Sequence, residues 1–185
     1  MSPDNIIATT PRLIIRSITV DDLPVLYERI FGDEEVMRYI SSGVSPDIEH
    51  AAQRVQKYIG WEKRFGMSFW AVILKSTGEL IGNCGLIPVE GHGPEVEIGY
   101  DTAQAFWRQG YTSEAAAACL KVGFDTLHLK RIIAICDPLN TGSWKVMEKI
   151  GMHKAGTTDK FYGMHCLLYD ITAEQFAESK SSPSP

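Results

Sequence analysis

The sequence has no basic block and only a small charge imbalance: 18 Lys and Arg stand against 23 Asp and Glu, a net charge of −5. Nucleic-acid binding as a main task is therefore excluded, because a polyphosphate partner calls for clustered cations. The acidic balance weakly favours a cationic partner such as an amine. Long apolar runs are missing too. Phe69–Leu74 falls far short of the roughly 20 residues that span a bilayer, so no membrane association is expected. The opening segment MSPDNIIATTPR has no basic start followed by an apolar stretch, so no secretory signal is expected. Cysteines are few and scattered (Cys84, Cys119, Cys136, Cys166) and form no CxxC pair, which fits free thiols in a cytoplasmic protein. The histidines His50, His92, His128, His153 and His165 lack metal-ligand spacing, and no metal is expected. Gly91-His92-Gly93 lacks the third glycine of a dinucleotide fingerprint and precedes a strand, which removes a nicotinamide-binding fold.

The rest is ordinary globular sequence, with 44% apolar and 22% charged residues in 185 positions, enough to bury one core. Thr10–Thr19 alternates as a strand, and Thr19-Val20-Asp21-Asp22 reads as a helix cap before Leu23, Leu26 and Ile30. A short helical piece is expected over Asp33–Ile40. Ser45-Pro46-Asp47 opens a longer helix whose apolar face carries Ile48, Ala52, Val55 and Ile59, with Gly66 closing it. Strands are expected over Ser68–Lys75, Leu80–Val89 and Glu95–Asp101, with turns at Thr77-Gly78 and at Gly91–Pro94. A helix follows from Ser113 to about Leu129, then a doubly buried strand over Arg131–Asp137. Asn140 caps the next helix and Gly151 ends it. Strands over His153–Tyr162 and Met164–Thr172 complete one mixed α/β domain. It spans residues 8–176, with a disordered Ser/Pro-rich tail at 177–185.

The segment VEIGYDTAQAFWRQGYTSE, residues 96–114, carries the chemistry. Arg108-Gln109-Gly110-Tyr111-Thr112 sits at the mouth of an alanine-rich helix, whose first backbone N–H groups and positive dipole end suit a phosphate. Gly110 permits close approach because it lacks a Cβ. A plain loop-to-helix connection is the alternative. A few residues earlier Glu97 stands between Val96 and Ile98. It is a candidate base, or a carboxylate facing solvent from a one-sided strand, and Glu95 competes with it on the same strand face. Asn140 reads as an N-cap and Ser143 as a first-turn serine of its helix.

These elements, in this order, resemble the GNAT N-acetyltransferase superfamily, and within it the RimJ/RimL-like branch, from about Thr10 to Ile171. The likeness is carried by Thr10–Arg16, Gly82–Leu86, Glu97-Ile98-Gly99-Tyr100, Trp107–Ala115, Asp137–Ser143 and Glu148–Met152. It implies a single GNAT-type domain, with a mixed, mostly antiparallel central sheet of about seven strands flanked by helices. It also implies acetyl-CoA as donor and direct acetyl transfer to an amine, with the N-terminal α-amine of a protein, of ribosomal-protein type, as leading acceptor. A small amine or antibiotic is the alternative acceptor, and a non-catalytic acyl-CoA sensor the alternative class. A homodimer is left open.

By the same resemblance, Glu97 would act as base, directly or through water, and Ser143 would give a proton to the departing thiolate. The cofactor would lie on Ile98, Gly99, Tyr100, Arg108, Gln109, Gly110, Tyr111, Thr112, Ser113, Asn140 and Ser143. Arg38, Tyr39, Trp70 and Tyr162 would line the acceptor pocket. Two departures stand out. Arg108 and Thr112 occupy places where the family often has glycine or alanine. Thr112 could cap the helix with its hydroxyl, and Arg108 could give a charge to a phosphate. Met147 takes the place of the tyrosine that serves many members as thiolate acid.

Overall fold

In the computed structural model, residues 6–181 are described; the side chains of residues 180 and 181 are not. The chain forms strands β1 (Ile6–Thr9) and β2 (Leu13–Ser17), then α1 (Leu23–Leu26), which continues through a wider helical turn over Tyr27–Phe31, and α2 (Glu34–Met37). Helix α3 (Ile48–Phe65), strands β3 (Phe69–Leu74), β4 (Leu80–Pro88) and β5 (Val96–Thr102), and helix α4 (Tyr111–Asp125) follow. The second half holds β6 (Arg131–Cys136), α5 (Thr141–Lys149), β7 (His153–Thr158), β8 (Cys166–Thr172) and α6 (Ala173–Ser181).

The local signals explain most boundaries. Thr19 and Asp22 form a capping box, with Thr19 N donating to Asp22 Oδ2 at 2.8 Å. Asp33 accepts from the N–H groups of Glu35 and Val36 and starts α2. Asp47 accepts from His50 N and starts α3, which Gly66 ends in the left-handed conformation at φ +69°. Asn140 Oδ1 accepts from Ser143 N at 3.1 Å at the head of α5.

One eight-stranded sheet organises the molecule, in the order β1-β2-β3-β4-β5-β6-β8-β7. Every neighbouring pair is antiparallel except β5 and β6, which run parallel. The eighth strand is the difference from sequence: the chain turns at Thr10–Arg12, so Ile6–Thr9 pairs back on β2 as a separate strand. Beyond β8, Thr172 and Gln175 bond reciprocally, Gln175 Oε1 accepting from Thr172 N and Thr172 Oγ1 from Gln175 N. Phe176 lies on Phe124 with ring centroids 4.7 Å apart. That cap and contact start α6, which runs through Ser181 and so takes up the beginning of the segment expected as a tail. Residues 182–185 of that segment lie outside the described residues.

The sheet has a core on each face. On one, α4 and α5 bury Ala116, Leu120 and Met147 against Leu13, Ile15, Val72, Leu86, Ile98 and Ile132. On the other, α1 to α3 bury Leu26, Phe31, Met37, Val55 and Tyr58 against Ala71 and Ile73. Alternation along β5 therefore sends Ile98, Tyr100 and Thr102 to the α4 face, and Glu97, Gly99 and Asp101 to the α3 face. Among the described residues no helix is long and apolar enough to cross a membrane.

β4 lies close to both neighbours because it carries glycine where they touch it. A Cβ on Gly85 would fall 1.9 Å from Ser68 O, and one on Gly82 would fall 2.2 Å from Asp101 O. Gly85→Ala is expected to destabilise the fold by about 3 kcal/mol in urea unfolding, since backbone cannot yield as a side chain would. Gly60→Ala, in the open interior of α3, is expected to stabilise by about 0.5–1 kcal/mol in the same measurement.

Candidate active site

The site lies where β5 leaves β6. β5 pairs with β4 over its full length, Val96–Thr102. Its register with β6 holds the single pair Glu97↔Ile133. Beyond Glu97 the two parallel strands part, and the β5 edge from Ile98 to Tyr100 faces a gap rather than a partner. The backbone there is free to meet a ligand, where a continuous ladder would have used it.

Glu97 closes the narrow end of that gap. It is 8% exposed, so it does not face solvent. Burial pushes its carboxyl up to about 7, and the hydroxyl of Tyr162, which donates to Oε2 at 2.6 Å, offsets only part of that. Glu95 is taken up elsewhere: its Oε1 lies 3.3 Å from Arg131 Nη1, and Arg131 also pairs with Asp170. On the opposite face, Tyr100 Oη donates to Ser143 O at 2.8 Å and lies 3.2 Å from Ser143 Oγ. With the Tyr100 proton on a carbonyl, the Ser143 hydroxyl is left to donate to the Tyr100 oxygen or toward the Cys136 thiol. Cys136, at the end of β6, adjoins Ser143, and burial raises its thiol to about 11. That holds it as a neutral thiol rather than a nucleophile.

The phosphate-loop candidate lies at the start of α4, which follows β5 in the chain. Gly110 takes φ +81° and precedes the first helical residue, Tyr111. A cavity of about 370 Å³ opens beside it, lined by Arg12, Gln109, Gly110, Ser113, Glu114 and Lys149 among others. A Cβ on Gly110 would come 3.4 Å from Arg12 Nη2 and 3.8 Å from Lys149 Nζ, so two cations bracket the turn. Arg12 is fixed in place: it pairs with Glu114 at 2.6 Å, donates to Gln109 O at 3.0 Å and lies 4.3 Å over the Tyr111 ring. Arg12 and Lys149 were not among the residues chosen from sequence. Both are far from the loop along the chain, and only the fold brings them to it.

Other expected residues fall differently. Trp70 is a correction: it is 1% exposed in the α4-side core, with its indole N–H donating to Glu62 Oε1, so it lines no pocket. Thr112 does not cap its helix; its hydroxyl lies 2.9 Å from that of Thr102. Arg108 is exposed in a left-handed conformation at φ +59°. Arg38 is exposed, 3.6 Å from Glu35, and stacks on Tyr39, with no contact to Glu97. Met147 is buried at 1% exposure among apolar neighbours and plays the part of core. Glu90, in the turn after β4, was missed, and it contacts Tyr162 twice.

The comparisons with known proteins agree with this geometry. The family model described as the acetyltransferase (GNAT) domain matches residues 12–153. The chain belongs to the GNAT acetyltransferase family. It is 36% identical over 157 residues to the uncharacterized protein YkkB of Bacillus subtilis, covering 82% of this chain and 88% of that one. To the uncharacterized N-acetyltransferase p20 of Bacillus licheniformis it is 31% identical over 162 residues, 88% and 90% of the two chains. Among solved structures, a GNAT-family acetyltransferase from Bacillus anthracis superposes with a TM-score of 0.77 at 34% identity, over 90% of this chain and 98% of that one. The fold is also that of RimL, the ribosomal L7/L12 α-N-protein acetyltransferase solved in complex with coenzyme A. There the TM-score is 0.76 at 18% identity, covering 90% and 97% of the chains. This GNAT enzyme is an N-acetyltransferase, and acetyl-CoA is its donor. The residues present fit that donor: a helix start, a glycine whose missing Cβ leaves a cradle, and two cations suit a pyrophosphate.

The buried carboxyl gives a direct check. Carbon-13 NMR of glutamate-labelled protein is expected to show a side-chain carboxyl titrating near pH 7 that is absent in Glu97→Gln.

Proposed function

We propose that this GNAT enzyme acetylates the N-terminal α-amine of a protein, with Glu97 as general base. The observation that carries the reading is the buried Glu97 carboxyl standing where β5 and β6 part. Bound acetyl-CoA supplies an activated acetyl carbonyl at that gap. Pyrophosphate would lie on the N–H groups of Gln109–Ser113 and the helix dipole, with Arg12 and Lys149 on either side. Main-chain N–H groups of the free β5 edge, Ile98 to Tyr100, would face the carbonyl oxygen as it gains charge. Asn140 holds the first turn of α5, which places Ser143 beside Tyr100, and Ser143 would give its proton to the departing sulfur.

Glu97 has the right poise for its part. An α-amine with pKa near 8 is about a tenth neutral at pH 7, and a carboxylate titrating near 7 accepts the ammonium proton without a large mismatch. An ordinary glutamate would be about two and a half pH units less basic. The motifs shared with the RimJ/RimL-like branch and the RimL fold support a protein acceptor. One observation favours a small polar amine instead. On the α3 face Asn83 is buried beside the Asp101 carboxyl, which burial raises to about 6 against the opposing Asn83 hydrogen bond. An acceptor with several polar groups would find partners in both. All four cysteines are free and buried, which suits a cytoplasmic setting.

Glu97→Gln is expected to lower kcat/KM by about 10²–10³-fold in a thiol-release assay with acetyl-CoA. In the wild type the acidic limb of the kcat/KM profile should rise through pH 7, because the base is active only when deprotonated; the variant should lose that limb. A panel of peptides with free N-termini, set against polyamines and aminoglycosides, decides the acceptor. Transfer to the small amines alone would overturn the protein-acceptor reading. Gly110→Glu is expected to weaken coenzyme A binding in calorimetry by at least about 10²-fold, through lost φ freedom, lost space and like charge. Unchanged affinity would refute the loop assignment.

A further inference from the structure

The acceptor side of the site is closed by a clasp between two turns that are remote in sequence. One is Val89–Gly91, after β4; the other is the loop between β7 and β8 that carries Tyr162. Tyr162 N donates to Glu90 Oε1 at 2.9 Å, and Glu90 N donates to Tyr162 Oη at 3.4 Å. Both residues are left-handed, at φ +55°, a conformation that non-glycine residues adopt at a cost and keep only when surroundings require it. The turn is pinned from behind, since a Cβ on Gly91 would fall 2.9 Å from the Trp61 ring of α3. On the far loop, His165 Nδ1 lies 2.6 Å from Asp159 Oδ1 and holds the two ends of the loop together.

The direction of these bonds matters. The Tyr162 oxygen accepts from the Glu90 N–H, so its own proton is aimed away from Glu90 and toward Glu97 Oε2 at 2.6 Å. Its backbone, gripped by the Glu90 carboxylate, cannot swing the ring off that line.

We propose that Glu90 is a positioning residue which, by fixing Tyr162, holds a hydrogen-bond donor on the Glu97 carboxylate and so sets its proton state for the acceptor. This rests on the reading of Glu97 as base, and it adds a residue that touches neither acetyl-CoA nor the carboxyl it governs. A short hydrogen bond to the charged form opposes burial, so it keeps Glu97 from rising further out of the working range. The other titratable groups around Glu97 do not share the task. Tyr100 on the same strand, Cys136 on β6 and Cys166 on β8 all have their pKa values raised, burial being the main cause, and stay neutral. His92 faces Glu90 rather than Glu97, with Nε2 3.8 Å from Glu90 Oε2.

The test reads the Glu97 carboxyl by carbon-13 NMR in the full protein without ligands, so it needs no identified acceptor. Tyr162→Phe is expected to move the midpoint up by about one pH unit. Glu90→Ala should move it up in the same direction and by a similar amount. Glu90→Gln, which keeps an oxygen for the Tyr162 N–H, should stay near wild type, as should His92→Gln. The double variant Glu90→Ala/Tyr162→Phe should lie no higher than Tyr162→Phe alone, because the two act through one hydroxyl. An unmoved midpoint in Glu90→Ala, an additive double variant, or a shift in His92→Gln equal to that of Glu90→Ala would overturn the proposal. Retained activity in Glu97→Gln would instead refute the base assignment and leave the clasp standing.

Discussion

Two parallel strands ordinarily share a ladder along their whole length, because each unpaired backbone group taken from water costs about 1–3 kcal/mol. β5 and β6 give that up after one register pair, at Glu97 and Ile133. The site depends on this local sacrifice. It leaves a row of main-chain donors facing a slot, and no side chain could replace them without filling the slot itself. The separation is stable because each strand is fully paired on its other side, β5 with β4 and β6 with β8. The open edge is thus held rigid by continuous neighbours.

The slot also sorts the chemistry by face. Alternation along β5 puts Glu97 on the side of α3 and Tyr100 on the side of α5, where it meets Ser143. The Glu97 carboxyl and the Tyr100–Ser143 hydroxyl pair so stand on opposite faces of one sheet. They are not insulated from each other, since the Glu97 charge adds to the burial that keeps Tyr100 protonated. Burial raises both, yet the consequences differ in kind: Glu97 moves into the neutral range where it can exchange a proton, whereas Tyr100 moves out of reach and stays a hydroxyl. Met147, buried in the core, confirms that α5 supplies no tyrosine to this place.

Much of the frame was legible in the chain. Caps at Thr19 and Asn140, the left-handed glycines Gly66 and Gly151, and the buried run Ile132–Cys136 are local signals with local causes, and they fell as read, whereas at the start of α3 the cap is Asp47 and not the Ser45 hydroxyl. Errors arose where tertiary contact overrode the local pattern. Trp70 looked like a pocket aromatic because aromatics serve in both settings; only its strand register, opposite Cys84, sends it into the core. Thr112 looked like a cap because hydroxyls near a helix start often are; Thr102 reaches it first across the loop. The start of α6 was hidden because Thr172 and Gln175 form their box only as β8 ends beside α4.

The sequence by itself carried the family and, through it, the donor, because motifs spread from Thr10 to Ile171 fall in register; it singled out Glu97 and Gly110 as candidates from their neighbours alone, a strand with a carboxylate and a glycine at a helix mouth. The tertiary structure decided what those residues can do. Arg12 and Lys149 reach Gly110 from 98 positions before it and 39 positions after it. Glu90 reaches Tyr162 across 72 positions, and Tyr162 reaches Glu97 across 65. Charge, burial and hydrogen-bond direction at a site are sums over groups assembled from the whole chain, and no local window of sequence contains them.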